Sequence, residues 1–345
     1  MRERYRVGVV GAGFGVKAHL PALLAHPRFD VVALASPHSA AGVAKERSIP
    51  HAFTSCAEML AGCELDAVVI ASPPFAHHGD TLAALAAGKH VLCEKPFALN
   101  VEQAEEMLAA EKAAGTGCGV SHEFRWAPER IALQQMVANG HLAPMREIEL
   151  THLMPGRRAS DLKPRGWMFQ RKAGGGICGA LMSHAIDGAN HLAGRPPIRS
   201  TGYTRIANPQ RTDEQGTFTS ETDDGAFALL DYGDGLIARL TTDATTHVEQ
   251  FTLAVHGEQR TAVASGTGLL DMRLFAIEAD ATDELDVKPS PYARFESVLE
   301  NVPPLMELYD EWLKQIETGA SAVPTFEEAV ATQRVLASIG YSTAP

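Results

Sequence analysis

The sequence has few cysteines, and none of them is arranged for a special role. The five lie at positions 56, 63, 93, 118 and 178. No two of them form a Cys-x-x-Cys pair, so the sequence indicates neither a zinc site nor a disulfide framework, and we expect no metal. Reduced thiols are typical of the cytosol, so we expect a cytoplasmic protein.

Long apolar runs and blocks of positive charge are also absent. No stretch approaches the length of a membrane span, and the first six residues lead directly into an apolar strand, so we expect neither a membrane partner nor a signal peptide. The net charge of −12 argues against a nucleic-acid partner. With 345 residues, 45% of them hydrophobic, the chain is long enough for two domains, each with its own core.

A glycine-rich turn directly follows the first apolar segment. Residues 5–10 predict a buried parallel strand, after which come Gly11, Gly13, Phe14 and Gly15. A helical pattern then follows. Strand, glycine turn and helix in this order predict a dinucleotide site, in which the pyrophosphate rests on the helix N-terminus. The strict motif has its third glycine at position 16, so Gly15 stands one position early.

Strands and helices alternate through the first third of the chain. The apolar runs predict strands at 29–35, 66–71, 91–93 and 117–122, and helices at 40–47, 81–87 and 100–114. This alternation predicts an α/β protein with a parallel, doubly wound sheet, that is, a Rossmann domain over residues 1–121.

The remaining residues, 122–345, are expected to form a second domain. Its sequence predicts strands at 146–154, 251–256 and 260–265, a hairpin over 225–242, and helices at 305–317 and 325–340. Long strands joined by short turns favour an antiparallel sheet. The second domain is therefore also α/β, with a large, mostly antiparallel sheet.

A Glu-Lys-Pro segment follows the predicted strand at 91–93. Lys95 thus stands at the carboxyl end of a strand, where open α/β sheets bind ligands. Pro96 restricts the backbone, so the bend that carries Lys95 is stiff. An ordinary surface lysine is the alternative, but the glycine turn upstream favours a functional one.

Three segments resemble the glucose–fructose oxidoreductase/inositol dehydrogenase family (Gfo/Idh/MocA). They are the glycine turn with His19, residues 66–73 with His77, and residues 88–96. The resemblance implies a nicotinamide cofactor, and a secondary alcohol or ketone of a sugar, cyclitol or related polyol as the small-molecule substrate. It assigns the second domain to substrate binding and oligomerisation. Together with the glycine turn and the end of the second strand, it gives the residues expected to bind the cofactor: Gly11, Gly13, Phe14, Gly15, Ser36, His38, Ser72, Pro73, Pro74, His77, Glu94 and Lys95.

Residues 174–187 match the family's glycine triplet and the active-site helix that follows it. His184 and Asp187 are three positions apart, so they share one helical face. The resemblance implies that His184 meets Lys95 across a cleft and exchanges a proton with the reacting hydroxyl, so that both residues are catalytic. Histidine suits this role because its ordinary pKa lies near working pH. A structural histidine is the alternative.

The chain departs from the family pattern at two positions. Ala180 stands where the family often has an aspartate, one turn before the histidine, and Met168 replaces the arginine of a Trp-Arg pair. The substrate-binding residues implied are His122, Arg125, Trp167 and Asp187. A salt bridge at the domain junction is the alternative for Arg125, and a place in the core is the alternative for Trp167.

The choice between NAD and NADP depends on the end of the second strand. An acidic residue roughly 20 positions after the glycine turn typically selects NAD through the ribose 2′-hydroxyl. This strand instead ends at Ser36 and His38, which favour NADP, with Lys45 or Arg47 reaching from the next helix. NAD bound without the carboxylate is the alternative.

The assembly and the substrate class each have alternatives. The hairpin at 225–242 is apolar on both faces, which favours a homodimer or homotetramer, unless the C-terminal helices cover both faces.

Ala180 and Met168 lend weight to a second substrate class, an aromatic dihydrodiol or a hydroxy-semialdehyde. A non-enzymatic, dinucleotide-binding regulator is a third possibility, but it would need neither Lys95 nor His184.

Overall fold

The computed structural model describes residues 3–341, so the first two and the last four residues of the expected domains lie outside it. Its contacts divide the chain into two compact units. The first comprises the residues up to 123 together with 290–330, and the second comprises 124–289 and the residues from 331 onward. A domain boundary between residues 121 and 122 remains a proposal. With that boundary, residues 290–330 would also have to be assigned to the first domain.

The first unit is built on a parallel sheet. Its strands are β1 Tyr5–Val10, β2 Phe29–Ala35, β3 His51–Phe53, β4 Ala67–Ile70, β5 His90–Cys93 and β6 Cys118–Val120, and its helices are α1 Leu20–Ala25, α2 Ala40–Arg47, α3 Cys56–Gly62, α4 Pro74–Ala86 and α5 Val101–Ala114. The strand order is β3-β2-β1-β4-β5-β6, and every pair is parallel. This confirms the Rossmann sheet. The order reverses between β1 and β4, where such sheets bind dinucleotides at the carboxyl ends of the strands.

Local sequence explains most of these elements, but one helix begins earlier than predicted. α4 starts at Pro74, because proline is well suited to the first helical position. His77 therefore lies on the helix and not in a loop before it. Asn100 caps α5, since its side chain accepts a hydrogen bond from the backbone N–H of Gln103 at 2.9 Å. β3 is short and mostly exposed, and the sequence did not predict it.

The second unit contains a larger sheet. Its helices are α6 Pro128–Ala138 and α7 Ser183–Ala193, and its strands are β7 Met145–Leu153, β8 Arg199–Arg205, β9 Gln210–Asp213, β10 Gly216–Thr219, β11 Gly225–Gly233, β12 Leu236–Asp243, β13 Gln250–Gly257, β14 Thr261–Gly266, β15 Met272–Glu278 and β16 Ala281–Leu285. Eight strands form the order β16-β15-β14-β13-β7-β12-β11-β8, while β9 and β10 pair separately. Only β7 and β12 run parallel within the eight strands described, which confirms the mostly antiparallel sheet.

The two faces of the large sheet differ in burial. One face contributes Leu150 and Leu240 to a core that also contains Ile186 of α7. On the other face the side chains of Tyr203 and Leu229 are 60% and 45% exposed. Helices of this chain therefore cover the first face and leave this part of the second open.

Two further helices follow, α8 Val302–Thr318 and α9 Phe326–Ser338. α8 belongs to the first unit, where the rings of Tyr309 and Trp312 lie 5.5 and 5.8 Å from the ring of Phe29 on β2. The indole N–H of Trp312 donates to the carbonyl of Gly117 at 3.1 Å. Within residues 3–341, no helix has both the length and the apolar character that crossing a membrane requires.

Candidate active site

The glycine turn after β1 fits a dinucleotide. Gly11 has φ of +105°, and a Cβ there would lie 2.2 Å from the carbonyl oxygen of Ala71, so only glycine fits. A Cβ on Gly13 would meet no atom within 4 Å. The backbone at Gly13 is therefore open to an incoming group, as the approach of a pyrophosphate requires.

Gly15 provides the close packing that is usual for the third glycine of this motif. A Cβ on Gly15 would lie 3.3 Å from Ala71 Cβ and from Val9 Cγ1, a distance shorter than most Cβ contacts in proteins. The helix opens here with a wide π turn over Gly15–His19, which places one extra residue in its first turn. The displaced glycine therefore retains its packing role against the strand.

The end of β2 carries no carboxylate. The backbone N–H of Ser36 donates to the carbonyl of Phe53 at 3.0 Å, and the hydroxyls of Ser36 and Ser39 lie 3.0 Å apart. His38 is exposed, as are Lys45 and Arg47 on α2. Arg47 also pairs with the exposed carboxylate of Glu46 on the same helix, at 3.4 Å.

His77 links the loops that follow β4 and β5. It is 1% exposed, and its Nε2 and Nδ1 lie 2.7 and 3.0 Å from the carbonyl oxygens of Ser72 and Pro96. Burial lowers the pKa of His77, although both carbonyls favour a proton on it. The hydroxyl of Ser72 donates to Asp80 at 2.9 Å. Through His77, the loop at residues 72–74 is held beside the loop that carries Lys95.

Lys95 lies beside Phe14 of the glycine turn. Its Nζ is 5.9 Å from the centre of the Phe14 ring. Its backbone N–H donates to the buried carboxylate of Glu94 at 3.2 Å. The side chain is half-buried, and the peptide bond between Lys95 and Pro96 is cis.

Glu94 ends a buried hydrogen-bonded chain. The Nε2 of His19 lies 2.8 Å from its carboxylate, and the Nδ1 of His19 lies 2.6 Å from the hydroxyl of Tyr309 on α8. Burial alone would raise the pKa of Glu94, but the hydrogen bond from His19 and the charge of Lys95 outweigh it and lower the pKa to about 2. Glu94 is therefore an ionised group inside the protein, 5% exposed.

A second buried carboxyl lies in the same region, at Glu123. It is fully buried and accepts a hydrogen bond from the side-chain amide of Asn301 at 3.2 Å. Burial, with the negative charge of Glu94, raises the pKa of Glu123 to about 7. Glu123 was not predicted from the sequence, although its place three residues after β6, at the carboxyl end of a strand, was a usable signal. Its neighbour His122, predicted to bind substrate, is 2% exposed.

In the second unit, the glycine triplet allows two close approaches. A Cβ on Gly175 would lie 2.5 Å from the carbonyl oxygens of Trp167 and Met168, and one on Gly176 would lie 2.3 Å from Asp223 Oδ2. Asp223 accepts a hydrogen bond from the backbone N–H of Cys178 at 2.6 Å, and burial raises its pKa to about 6. The triplet therefore fixes the start of the segment that leads into α7. Trp167 itself is half-buried.

His184 lies on α7 and is 4% exposed. Its ring packs on Phe124, with centroids 4.3 Å apart, and it lines a small cavity with Arg130 and His152. The guanidinium of Arg130 lies 5.3 Å from the Phe124 ring. Arg130 and His152, which come from α6 and β7, were not predicted from the sequence. The residue one turn before His184 is Ala180, so no carboxylate is present at that position.

Arg125 and Asp187 bind each other. Arg125 Nε and Nη2 donate to the two carboxylate oxygens of Asp187 at 2.8 and 2.6 Å, and the side chains are 6% and 3% exposed. The structure thus brings Arg125, His184 and Asp187 together in the second unit. In the first unit it brings together the glycine turn, His77, Glu94 and Lys95. Within residues 3–341, no group of three or more His, Cys, Asp or Glu is placed to hold a metal ion.

Comparison with known proteins identifies the family. Residues 5–122 match the model of an oxidoreductase family with an NAD-binding Rossmann fold, and residues 131–263 match the GFO/IDH/MocA C-terminal domain. The 1,5-anhydro-D-fructose reductase of Ensifer adhaerens is 28% identical over 259 residues, which cover 74% of each chain.

Levoglucosan dehydrogenase of Pseudarthrobacter phenanthrenivorans is 24% identical over 363 residues, covering 94% of this chain and 93% of that protein. A solved structure of levoglucosan dehydrogenase in complex with NADH has the same fold, with a TM-score of 0.85 at 22% identity over 97% of this chain and 96% of that one. With both domain models matched in their expected order, the chain belongs to the Gfo/Idh/MocA family of oxidoreductases.

Proposed function

We propose that the protein transfers hydride between a nicotinamide dinucleotide and a secondary alcohol or ketone of a sugar, cyclitol or related polyol. The observation that carries the proposal is the position of Lys95, whose Nζ lies 5.9 Å from the ring of Phe14 within the glycine turn. This contact supports a role for the cationic group of Lys95 next to a dinucleotide bound at the turn. The names of two relatives, a levoglucosan dehydrogenase and an anhydrofructose reductase, support a sugar as the substrate.

Lys95 and His184 act in the same chemical step. Lys95 orients and polarises the reacting oxygen, and His184 takes or gives its proton. The dinucleotide, when bound, supplies or accepts the hydride. Gly13 lets its pyrophosphate approach the open backbone of the turn, while Gly11 and Gly15 allow the close packing that shapes the turn.

The preferred cofactor is NADP. Support comes from the end of β2, where Ser36 and the exposed His38 replace the usual carboxylate. Such groups can donate hydrogen bonds to a 2′-phosphate, and they do not repel it.

The protein assembles as a homodimer or homotetramer through the open face of its large sheet. Support comes from Tyr203, Phe227 and Leu229, of which the first two stack with ring centres 5.0 Å apart. An exposed apolar patch of this kind suits an isologous contact between two copies.

The test is a panel of sugars, cyclitols and aromatic alcohols with NAD and NADP, followed at the nicotinamide absorbance. Turnover of a sugar or cyclitol is expected. Lys95→Ala and His184→Ala should then lower the rate by roughly a hundredfold to ten-thousandfold, with dinucleotide affinity nearly intact in His184→Ala. Lys112→Ala, at an exposed lysine of α5, is the control.

Other outcomes would contradict the proposal. Turnover of aromatic dihydrodiols or hydroxy-semialdehydes alone would reject a sugar as the substrate. Dinucleotide binding without turnover of any compound would indicate a regulator.

A further inference from the structure

The helical segment that carries His184 is capped by a residue from a distant part of the chain. The segment begins with a π turn over Cys178–Met182 and continues as α7. Ile177, which precedes it, has no side-chain acceptor. Asp223 accepts instead, since its Oδ1 lies 2.6 Å from the backbone nitrogen of Cys178 and its backbone carbonyl accepts from the N–H of Ile177 at 3.3 Å. Two N–H groups at a helix start, where intrahelical partners are lacking, are thereby satisfied.

Asp223 is itself held firmly by the large sheet. The next residue, Asp224, donates its N–H to the carbonyl of Arg205 and accepts at its own carbonyl from the N–H of Ala244, both at 2.9 Å. Asp223 is 8% exposed, and its carboxylate packs so closely on Gly176 that a Cβ there would overlap it. The cap therefore comes from a buried residue next to β11 and not from a flexible loop.

The two residues before Asp223 hold the other end of the loop that contains the glycine triplet. The hydroxyl of Thr222 donates to the carbonyl of Met168 at 3.0 Å. The backbone N–H of Glu221 donates to the carbonyl of Phe169 at 3.1 Å. Three consecutive residues therefore fasten both ends of this loop, and all of these contacts lie within the second unit.

We propose that Asp223 is a positioning residue for His184. Its carboxylate fixes the start of the helical segment and, through it, the place of the His184 ring on Phe124, where the ring centroids are 4.3 Å apart. A carboxylate suits this position because negative charge is stabilised at a helix N-terminus and a charged acceptor strengthens the hydrogen bond. The inference rests on the proposed function of His184, but Asp223 acts through the helix and not on the substrate.

The test compares three variants without substrate or cofactor. Asp223→Ala removes the side-chain acceptor, and Asp223→Asn keeps an acceptor oxygen but removes the charge. Asp231→Ala is the matched control, because Asp231 also accepts from a backbone N–H, that of Gly233 at 2.9 Å, but lies at the other end of β11. Amide hydrogen exchange of residues 177–184 is measured by mass spectrometry. The ring of His184 is followed in proteins with ¹³C-labelled histidine, its signal being assigned with His184→Gln.

In Asp223→Ala we expect the amides at the start of the segment to exchange about tenfold faster than in the wild type, as for the loss of a helix cap. The His184 ring signal should shift, because the ring moves relative to the face of Phe124. Asp223→Asn should retain exchange and signal close to those of the wild type. Asp231→Ala should change neither.

Three results would overturn the proposal. The first is equal exchange of residues 177–184 in Asp223→Ala and the wild type. The second is an increase of the same size in every strand of the large sheet, which would indicate a general loss of stability. The third is an unchanged His184 signal. If Asp223→Ala fails to fold, as judged by circular dichroism, Gly176→Ala replaces it. Its Cβ displaces the Asp223 carboxylate and should speed exchange of the same amides.

Turnover separates this inference from the proposed function. If no sugar is turned over but exchange and the His184 signal change as expected, the function is wrong and the positioning holds. If sugars are turned over and neither changes, the positioning is wrong. If both hold, Asp223→Ala should lower kcat with unchanged dinucleotide affinity, and Asp223→Asn should recover most of the rate.

Discussion

Arg125 donates two parallel hydrogen bonds to Asp187 across 62 positions of sequence, at 2.8 and 2.6 Å. Both side chains are nearly buried, at 6% and 3% exposure. Two N–H groups of the Arg125 guanidinium therefore donate to a carboxylate of the protein itself. The ion pair links the segment before α6 to helix α7, which also carries His184.

Removing one partner of this pair should be costly. Asp187→Ala leaves a buried guanidinium without its carboxylate, and we expect the free energy of unfolding to fall by about 3–5 kcal/mol. The double variant Arg125→Met, Asp187→Leu removes both charges and should recover a large part of that loss. Urea unfolding of the three proteins measures this, and equal stability of the single variant and the wild type would contradict it.

The two glycines at the start of the turn should respond differently to substitution. Gly13→Val places its side chain in open space, so the protein should fold normally but lose dinucleotide binding. Gly11→Val meets the carbonyl of Ala71 and should lower the melting temperature. Calorimetric titration and thermal unfolding distinguish the two effects. Unchanged affinity in a folded Gly13→Val variant would place the dinucleotide elsewhere.

The cofactor preference should reverse with one substitution. We expect NADP to bind more tightly than NAD, and Ser36→Asp to invert the order, because a carboxylate accepts from the ribose 2′-hydroxyl and repels a 2′-phosphate. The four dissociation constants are obtained by nicotinamide fluorescence. Wild-type affinity at least tenfold tighter for NAD would reject the preference for NADP.

The assembly should depend on the open face of the sheet. Leu229→Glu places a charge in the exposed apolar patch and should shift the protein toward monomer in light scattering at micromolar concentration. Ala61→Glu adds the same charge at an exposed position of α3 and should leave the mass unchanged. A wild type that is monomeric under these conditions would refute the assembly.

His152 should make the protein sensitive to acid. Burial, reinforced by the charge of Arg130, lowers the pKa of His152 to about 4, against about 6.5 in the unfolded chain. The unfolded state therefore binds the proton first, and stability is lost as the pH falls from about 6.5 toward 4.

In His152→Leu, the loss of unfolding free energy between pH 7 and 5 should be smaller than in the wild type by about 1–2 kcal/mol. The exposed His247, replaced by glutamine, serves as the control. The same pH dependence in both variants would show that His152 does not cause the effect.

The parallel sheet was predictable because its central strands are buried on both faces and are therefore continuously apolar, as in Ala67–Ile70. β8 and β16 were missed for the opposite reason. Their residues are largely exposed and polar, and only pairing with β11 and β15 makes them strands.

The residues of the candidate site also differ in whether local sequence could predict them. Lys95 and the glycines stand directly after strands, so local sequence marks them. The hydrogen-bonded chain of His19, Glu94 and Tyr309 connects positions up to 290 residues apart. The pKa of Glu123 is raised by burial and by the charge of Glu94. No local pattern contains that information, because it arises from tertiary packing.

The late position of α8 has a consequence for how the chain is synthesised. All six strands of the first unit have been translated once residue 120 is added, yet Trp312, which packs on Phe29, comes about 190 residues later. At roughly 5–20 residues per second, this delay lasts on the order of 10–40 s. During that time Phe29, which is 1% exposed in the finished protein, lacks the rings of Tyr309 and Trp312 and is available to chaperones on the ribosome. A chain that terminates before α8 is therefore expected to leave the ribosome with its dinucleotide-binding unit incompletely packed.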